Sequence, residues 1–257
     1  MPDLRPAERY TAQLARVETE AARDALATWQ RSRADLLDEL SGAAPNLAAP
    51  VRAAGLQIGG QLRTRGAVIA DIAGALVAAQ IGDALLGEVA APLLGGAIVA
   101  WEAAAVGMLL GELQRLQAAG ADPAQILARL ITGRDGRVSV YQQAGNALQL
   151  VVEQAVWGAG NGHVIRLGQA AARQTGQPYQ KQVFAALDAR TTACCRRAHG
   201  QIQDLDQPFV LTGTPRFADR VMSPPFHYRC RSAVTLYTPA MERIGPTTAA
   251  MRAQARA

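Results

Sequence analysis

Five side chains able to do metal or thiol chemistry crowd into a short stretch of this chain. Cys194, Cys195, His199, His227 and Cys230 fall within 37 residues of a 257-residue sequence that has only three Cys and three His. Cys195 and His199 are four apart, so one helical turn places both on the same face. His227 and Cys230 are three apart, just behind Pro224, Pro225 and Phe226. Two short-spaced donor pairs about 28 residues apart match a tetrahedral zinc site of the Cys2His2 kind, with Cys194 as an alternative ligand. Other chemistries fit the same residues. Cys194 or Cys195 could close a disulfide with Cys230, or the knuckle could be held by hydrogen bonds without metal. A Cys/His nucleophile pair lacks a convincing third group and a cleft signature.

The elements that must position these residues read as two kinds of chain. Residues 4–40 form one long amphipathic helix, with Tyr10, Leu14, Val17, Ala21, Ala25, Trp29, Leu36, Leu37 and Leu40 on its apolar side. Gly42, Pro45 and Pro50 end it. Residues 51–118 are apolar and rich in small residues, which predicts buried helices packed closely through glycines such as Gly107 and Gly111. Asp122 and Pro123 predict the cap and first position of a short helix. A helix over 138–157 is predicted to break at GAGNG (158–162) and resume over 163–175. The glycine run follows a helix and not a strand, which argues against a phosphate loop. Beyond Gly176 the helical period fades, and QVFAAL, QPFVL and SAVTLY read as short strands. The expected fold is mainly α, a helical N-terminal region followed by a small loop-rich α+β C-terminal domain. The expected segments are 1–50 (helix and linker), 51–178 (apolar helical domain), 179–240 (Cys/His knuckle) and 241–257 (basic tail).

Charge divides along the same line. Residues 1–180 carry 15 Arg and no Lys against 16 acidic residues, while residues 181–257 carry 11 basic against 5 acidic. The basic excess lies wholly in the C-terminal third and suits nucleic acid or an acidic partner. Lys181 is the only lysine beside 25 Arg, a bias ascribed here to base composition. The start, MPDLRPAERY, has no apolar run after a basic stretch, so a cytosolic setting with reduced thiols is the starting expectation.

Two segments of the C-terminal third resemble the Mu F-like minor head protein family of tailed bacteriophages. In ALDARTTACCRRAHGQ, Asp188, Arg190 and Thr191 match the opening of the family pattern, Cys195 stands at the second cysteine of its C-x-x-C, and Gly200 follows. In SPPFHYRCRSAV, Pro224, Pro225, His227, Cys230 and Arg231 match the closing P-P-x-H-x-x-C-R-C. Glu153 ahead of Asn161 is similar to the family's upstream helix. Two positions depart from the pattern: Thr192 replaces the first cysteine and Ser232 the last, so Cys194 or His199 would have to substitute as ligand.

The resemblance implies a non-enzymatic head-morphogenesis protein. It would act in the host cytoplasm during procapsid assembly and then inside the virion head near the portal. Its partners would be portal, capsid or scaffold proteins, with a role in DNA packaging or ejection and at most one structural zinc ion. Read as residues alone, Asp188 could cap the helix carrying Cys195 and Arg231 could pair with Asp188, or both could face solvent. Arg190, Arg196, Arg197, Arg216, Arg220, Arg229 and Arg231 are candidate contacts to duplex DNA, without sequence preference. No membrane partner is expected. Alternatives are a zinc-dependent enzyme or toxin-related protein, and a membrane-active ejection protein acting through residues 66–111.

Overall fold

The computed structural model describes residues 5–42, 44–82, 89–92, 94–133, 136–187, 191–211 and 218–241. Asp188, Arg190, Arg216 and the tail beyond Met241 lie outside the described residues, and with them the expected Asp188–Arg231 pair. The chain is mainly helical with a small C-terminal α+β region, as its composition predicts. The helices are α1 (Arg5–Ser41), α2 (Ala48–Ile81), α3 (Gly96–Ala118), α4 (Pro123–Leu127), a π-turn over Ala128–Thr132, and α5 (Val140–Thr175). The C-terminal region follows as β1 (Gln180–Ala185), α6 (Ala193–Ala198), β2 (Ile202–Asp204), β3 (Phe209–Val210), β4 (Arg220–Val221) and β5 (Ser232–Tyr237).

The compact units cut across the segments read from sequence. One unit comprises residues 1–18, 66–92 and 154–257; the other comprises 19–65 and 93–153. The boundaries at 50 and 178 therefore do not separate compact bodies: α1, α2 and α5 each run from one unit into the other.

In the unit made of 19–65 and 93–153, an aromatic cluster forms the centre. Trp29 stacks on Tyr141 (centroids 4.5 Å, planes 17° apart) and meets Trp101 edge-on (5.2 Å, 87°). Each indole N–H is satisfied, Trp29 by Tyr141 O at 3.1 Å and Trp101 by Ala144 O at 2.8 Å. Gly145 lies against Trp29, where a Cβ would stand 3.0 Å from the ring. The Asp122 cap appears as predicted, as a reciprocal capping box with Gln125. The glycine crossing does not. A Cβ at Gly107 or Gly111 would meet nothing within 4 Å, and both residues are exposed. Glycine spacing alone said nothing of which helix face is covered.

In the other unit, α5 corrects a second expectation. GAGNG does not break the helix, which runs unbroken through Gly158–Gly162. Helical glycine costs only about 1 kcal/mol per residue, and here its lack of a side chain is used. A Cβ at Gly160 would stand 2.7 Å from Tyr10 Oη and 2.9 Å from Leu14, so α1 can lie directly on the helix. Gly168 does the same for β5, where a Cβ would stand 2.6 Å from Leu236.

The three-stranded sheet has the order β2-β1-β5, all antiparallel, with Gln180 opposite Tyr237 and Ala185 opposite Ser232. β3 and β4 form a separate two-stranded ribbon. Side-chain carboxamides stand in for missing strands. Gln80 donates to Leu236 O and accepts from Leu236 N, Asn161 bonds Ser232 O and Val234 N, and Gln201 bonds both polar groups of Val210. Residues 232, 234 and 236 share the edge of β5 that faces away from β1, so Gln80 and Asn161 satisfy backbone groups that an open edge would leave bare.

Candidate metal centre

Sheet register explains how residues 32 or more apart meet. Because β1 and β5 are antiparallel with Ala185 opposite Ser232, the chain leaving β1 and the chain entering β5 emerge at the same end of the sheet. The first continues through Thr191 into α6 with Cys194 and Cys195. The second carries His227 and Cys230. Thr191 ties the end of β1 to the start of α6: its hydroxyl donates to Ala186 O, and its carbonyl accepts from Arg196.

The two motifs converge on one cluster. Cys195 Sγ lies 3.0 Å from His227 Nε2 and 3.6 Å from Cys230 Sγ. The metal-binding atoms of Cys194, Cys195 and His227 all lie within 4.8 Å of one another, a group that can hold a metal ion. All three sulfurs are buried. At 3.6 Å the Cys195–Cys230 pair is far longer than the roughly 2.05 Å of a disulfide.

The imidazole is pinned through Nδ1. His227 Nδ1 lies 2.6 Å from Tyr228 O, a carbonyl that can only accept, so Nδ1 carries the proton and Nε2 faces the sulfurs. Thr192 is the N-cap residue of α6 yet makes no cap bond. Its hydroxyl turns to the cluster instead, 2.8 Å from His227 Nε2 and 3.2 Å from Cys194 Sγ.

Proton affinities within the cluster follow from these contacts. Hydrogen bonding from Cys195 lowers Cys194 to about 4, and it also draws Cys230 well below the usual thiol range, against the opposing effect of burial. Cys195 moves up, because it holds the proton between two thiolates in a buried setting. Burial would lower His227, but the bonds to Cys194 and Cys230 outweigh it and raise the imidazole to about 10. The two thiolates are the form that a metal requires, whereas the raised affinity of His227 means that a metal would have to displace the proton from Nε2.

The structure places the other sequence candidates as follows. His199 stands outside the cluster. α6 ends at Ala198, His199 has ψ 128°, and its Nδ1 accepts the Ala185 N–H at 3.0 Å. The four-residue spacing thus did not deliver a ligand pair, because the helix stops one residue short. Gly200 follows with φ 75°, a left-handed turn that returns the chain to β1 through Gly200 N–H and Val183 O. Thr192 occupies the N-cap position of α6, and the cap expected of Asp188 lies outside the described residues. Both departures from the family pattern face the cluster: Thr192 as described, and Ser232 through a hydrogen bond to Cys195. Arg197, Arg220 and Arg229 are exposed, while Arg196 and Arg231 are partly buried.

Three residues that the sequence names without giving them a part in the site support it. Asn161 is described below. Phe226, fully buried and next to His227 in sequence, packs edge-on to Phe209 at 6.2 Å. Lys181 is fully buried on the central strand, where Nζ donates to Leu205 O (3.1 Å) and Met222 O (2.8 Å) and sits 5.1 Å from the Phe209 ring centre. Its signal was its singularity, read as composition alone. Comparison with protein-family models, curated proteins and solved structures finds no match to this chain.

Proposed function

We propose that this chain is a minor head protein of a tailed phage or phage-like particle. In this reading it acts at the portal in procapsid assembly and in DNA packaging or ejection, and its C-terminal region is closed by one structural zinc ion. One observation carries the reading. The two motif segments, far apart in sequence, meet at Cys195, His227 and Cys230. A chance resemblance in two separate segments has no reason to fold into one cluster.

The donor set suits zinc. Three buried thiols and one half-buried imidazole are soft and borderline ligands. Zinc–sulfur bonds of about 2.3 Å give tetrahedral sulfur–sulfur edges of roughly 3.8 Å, and Cys195 and Cys230 stand 3.6 Å apart. Cys194, Cys195, His227 and Cys230 would hold the ion, with Cys194 compensating for Thr192 and Ser232. The Tyr228 carbonyl on Nδ1 is the outer partner that a zinc-bound histidine normally has.

No reaction is assigned to the cluster. The recess lined by Thr191, Thr192, Cys195, His227, Arg229 and Arg231 holds about 10 Å3, room for a single water. The exposed Arg197, Arg220 and Arg229 would meet DNA phosphates, in line with the basic excess of the C-terminal third. Zinc analysis of the purified protein is expected to give one equivalent, lost in a Cys195→Ser, Cys230→Ser double variant. Gel-shift assays are expected to show duplex binding that falls steeply with salt. A metal-free protein that binds no added zinc would remove the zinc claim, and no duplex binding at low salt would remove the DNA role. Failure to associate with a portal protein co-produced from the same source would remove the assembly role.

A second reading has its own observation. α2 and α3 are each long and apolar enough to cross a membrane by length and composition, and only 28% of each apolar window is buried. Leu56 and Val99 are 74% and 68% exposed. A membrane-active ejection protein would use these helices, and dye leakage from liposomes would reveal it.

A further inference from the structure

We infer that Asn161 is the positioning residue of the metal clasp, fixing both ends of the loop that carries His227 and Cys230. The inference rests on the reading of that cluster as a metal site. Asn161 sits in the middle of α5 and is wholly buried. Its Nδ2 donates to Pro224 O at 3.2 Å and to Ser232 O at 3.1 Å, and its Oδ1 accepts from Val234 N at 2.8 Å. A carboxamide NH2 has two hydrogens, and here one goes to each end of the ligand loop.

The loop needs such a tie. Residues 222–231 form neither helix nor strand, so no backbone ladder fixes the approach of His227 and Cys230 to α6. Phe226 anchors the loop's interior, but its apolar contact carries no directional information. Asn161 supplies direction, because its three bonds register Pro224, Ser232 and Val234 against one point of a rigid helix. A loop closed at both ends has fewer conformations to lose when its two ligands are gathered, so more of the metal's binding energy survives.

Gln80 provides the internal control. It too is a carboxamide on the outer edge of β5, but both its bonds land on Leu236, at the end of the strand away from the loop. If these amides merely covered an open edge, the two residues would behave alike. If Asn161 positions the ligands, only its loss reaches the metal.

The experiment uses the full chain and four proteins: wild type, Asn161→Leu, Asn161→Asp and Gln80→Leu. Asn161→Asp keeps the size and the acceptor for Val234 while losing both donors, which covers the case in which Asn161→Leu fails to fold. Two quantities are measured: Co2+ affinity from the thiolate absorption bands, and the alkylation rate of Cys230 in metal-free protein, located by peptide mass spectrometry. Loss of Asn161 is expected to weaken Co2+ binding about 10-fold or more, as loss of the support that positions metal ligands does, and to speed Cys230 alkylation. Gln80→Leu is expected to change neither. Wild-type values in Asn161→Asp would overturn the inference, as would equal losses in Gln80→Leu. Should wild type bind no Co2+, the metal reading fails by itself, and the alkylation rates alone decide whether Asn161 orders the loop.

Discussion

Two regions of this molecule are held together by opposite means. Around Trp29, Trp101 and Tyr141 the stabilising quantity is buried apolar area, with each indole N–H given one backbone carbonyl. Around Cys195 and β5 it is a set of directional polar ties: three thiols, one imidazole, the amides of Gln80 and Asn161, and the ammonium of Lys181. Aromatic packing tolerates small shifts and depends little on pH. Polar ties are individually worth only about 0.5–1.5 kcal/mol net, yet leaving one partner unmet costs about 1–3 kcal/mol. The helical region should therefore fail gradually with lost volume, and the clasp sharply with a single lost donor or, on the proposed zinc reading, with removal of the metal.

The severest test of this contrast removes the aromatic centre. Trp29→Ala deletes the stacked and edge-on partners together and is expected to cost about 3–5 kcal/mol. Thermal unfolding would show the same loss with and without a zinc chelator, since the cavity contains no metal ligand. A loss that shrinks when chelator is present would mean that the two regions do not owe their stability to separate causes.

The same contrast explains what could be read from sequence. α1 was legible almost residue by residue, because Tyr10, Leu14, Val17, Ala21, Ala25 and Trp29 are buried at the period that the sequence displays. The Asp122 cap was legible because a capping box is local. The glycines were not. Gly160 and Gly107 look alike in sequence, but one lies under Tyr10 and the other against open space, and only tertiary packing decides which. In the clasp, Cys195, His227 and Cys230 were found by type and clustering. His199 was misplaced because spacing cannot say where a six-residue helix stops. Thr192 and Ser232, counted as losses from a pattern, turned out to face the cluster.

Lys181 gives a sharper test of the polar region, through pH. Burial lowers its ammonium from 10.5 to about 8, with Asp206 opposing. The folded-state value lies below the unfolded one, so between pH 8 and 10.5 the unfolded chain holds the extra proton and stability rises with pH. Below pH 8 both states are charged and the full burial penalty is present; above 10.5 it is gone. Neutral lysine still donates to Leu205 O and Met222 O. Lys181→Met has no such proton and leaves both carbonyls unmet, at about 1–3 kcal/mol. The stability gap between wild type and Lys181→Met should therefore widen from pH 8 to pH 10.5, while titrating cysteines common to both proteins cancel. A gap that stays level across that window would mean that the ammonium is not desolvated, and the clasp would then be less polar in its energetics than its geometry suggests.

The smallest expected effect tests the other side of the contrast, because the helical region also carries polar ties. Glu112 accepts from Arg115 at 2.8 Å and from Arg129 at 2.7 Å, and bonding to these two guanidinium groups lowers its carboxyl to about 2. The folded value lies below the unfolded one, so the contribution is complete above pH 4.5 and disappears as pH falls toward 2. Its size is limited by solvent, since Arg115 is 61% and Arg129 38% exposed. Glu112→Gln should cost about 0.2–1 kcal/mol at neutral pH, as exposed ion pairs do, and less in high salt. Measured by urea unfolding, a loss above 3 kcal/mol that salt does not reduce would put a decisive polar network inside the helical region. The division between an area-stabilised part and a donor-stabilised part would then have to be redrawn around Glu112.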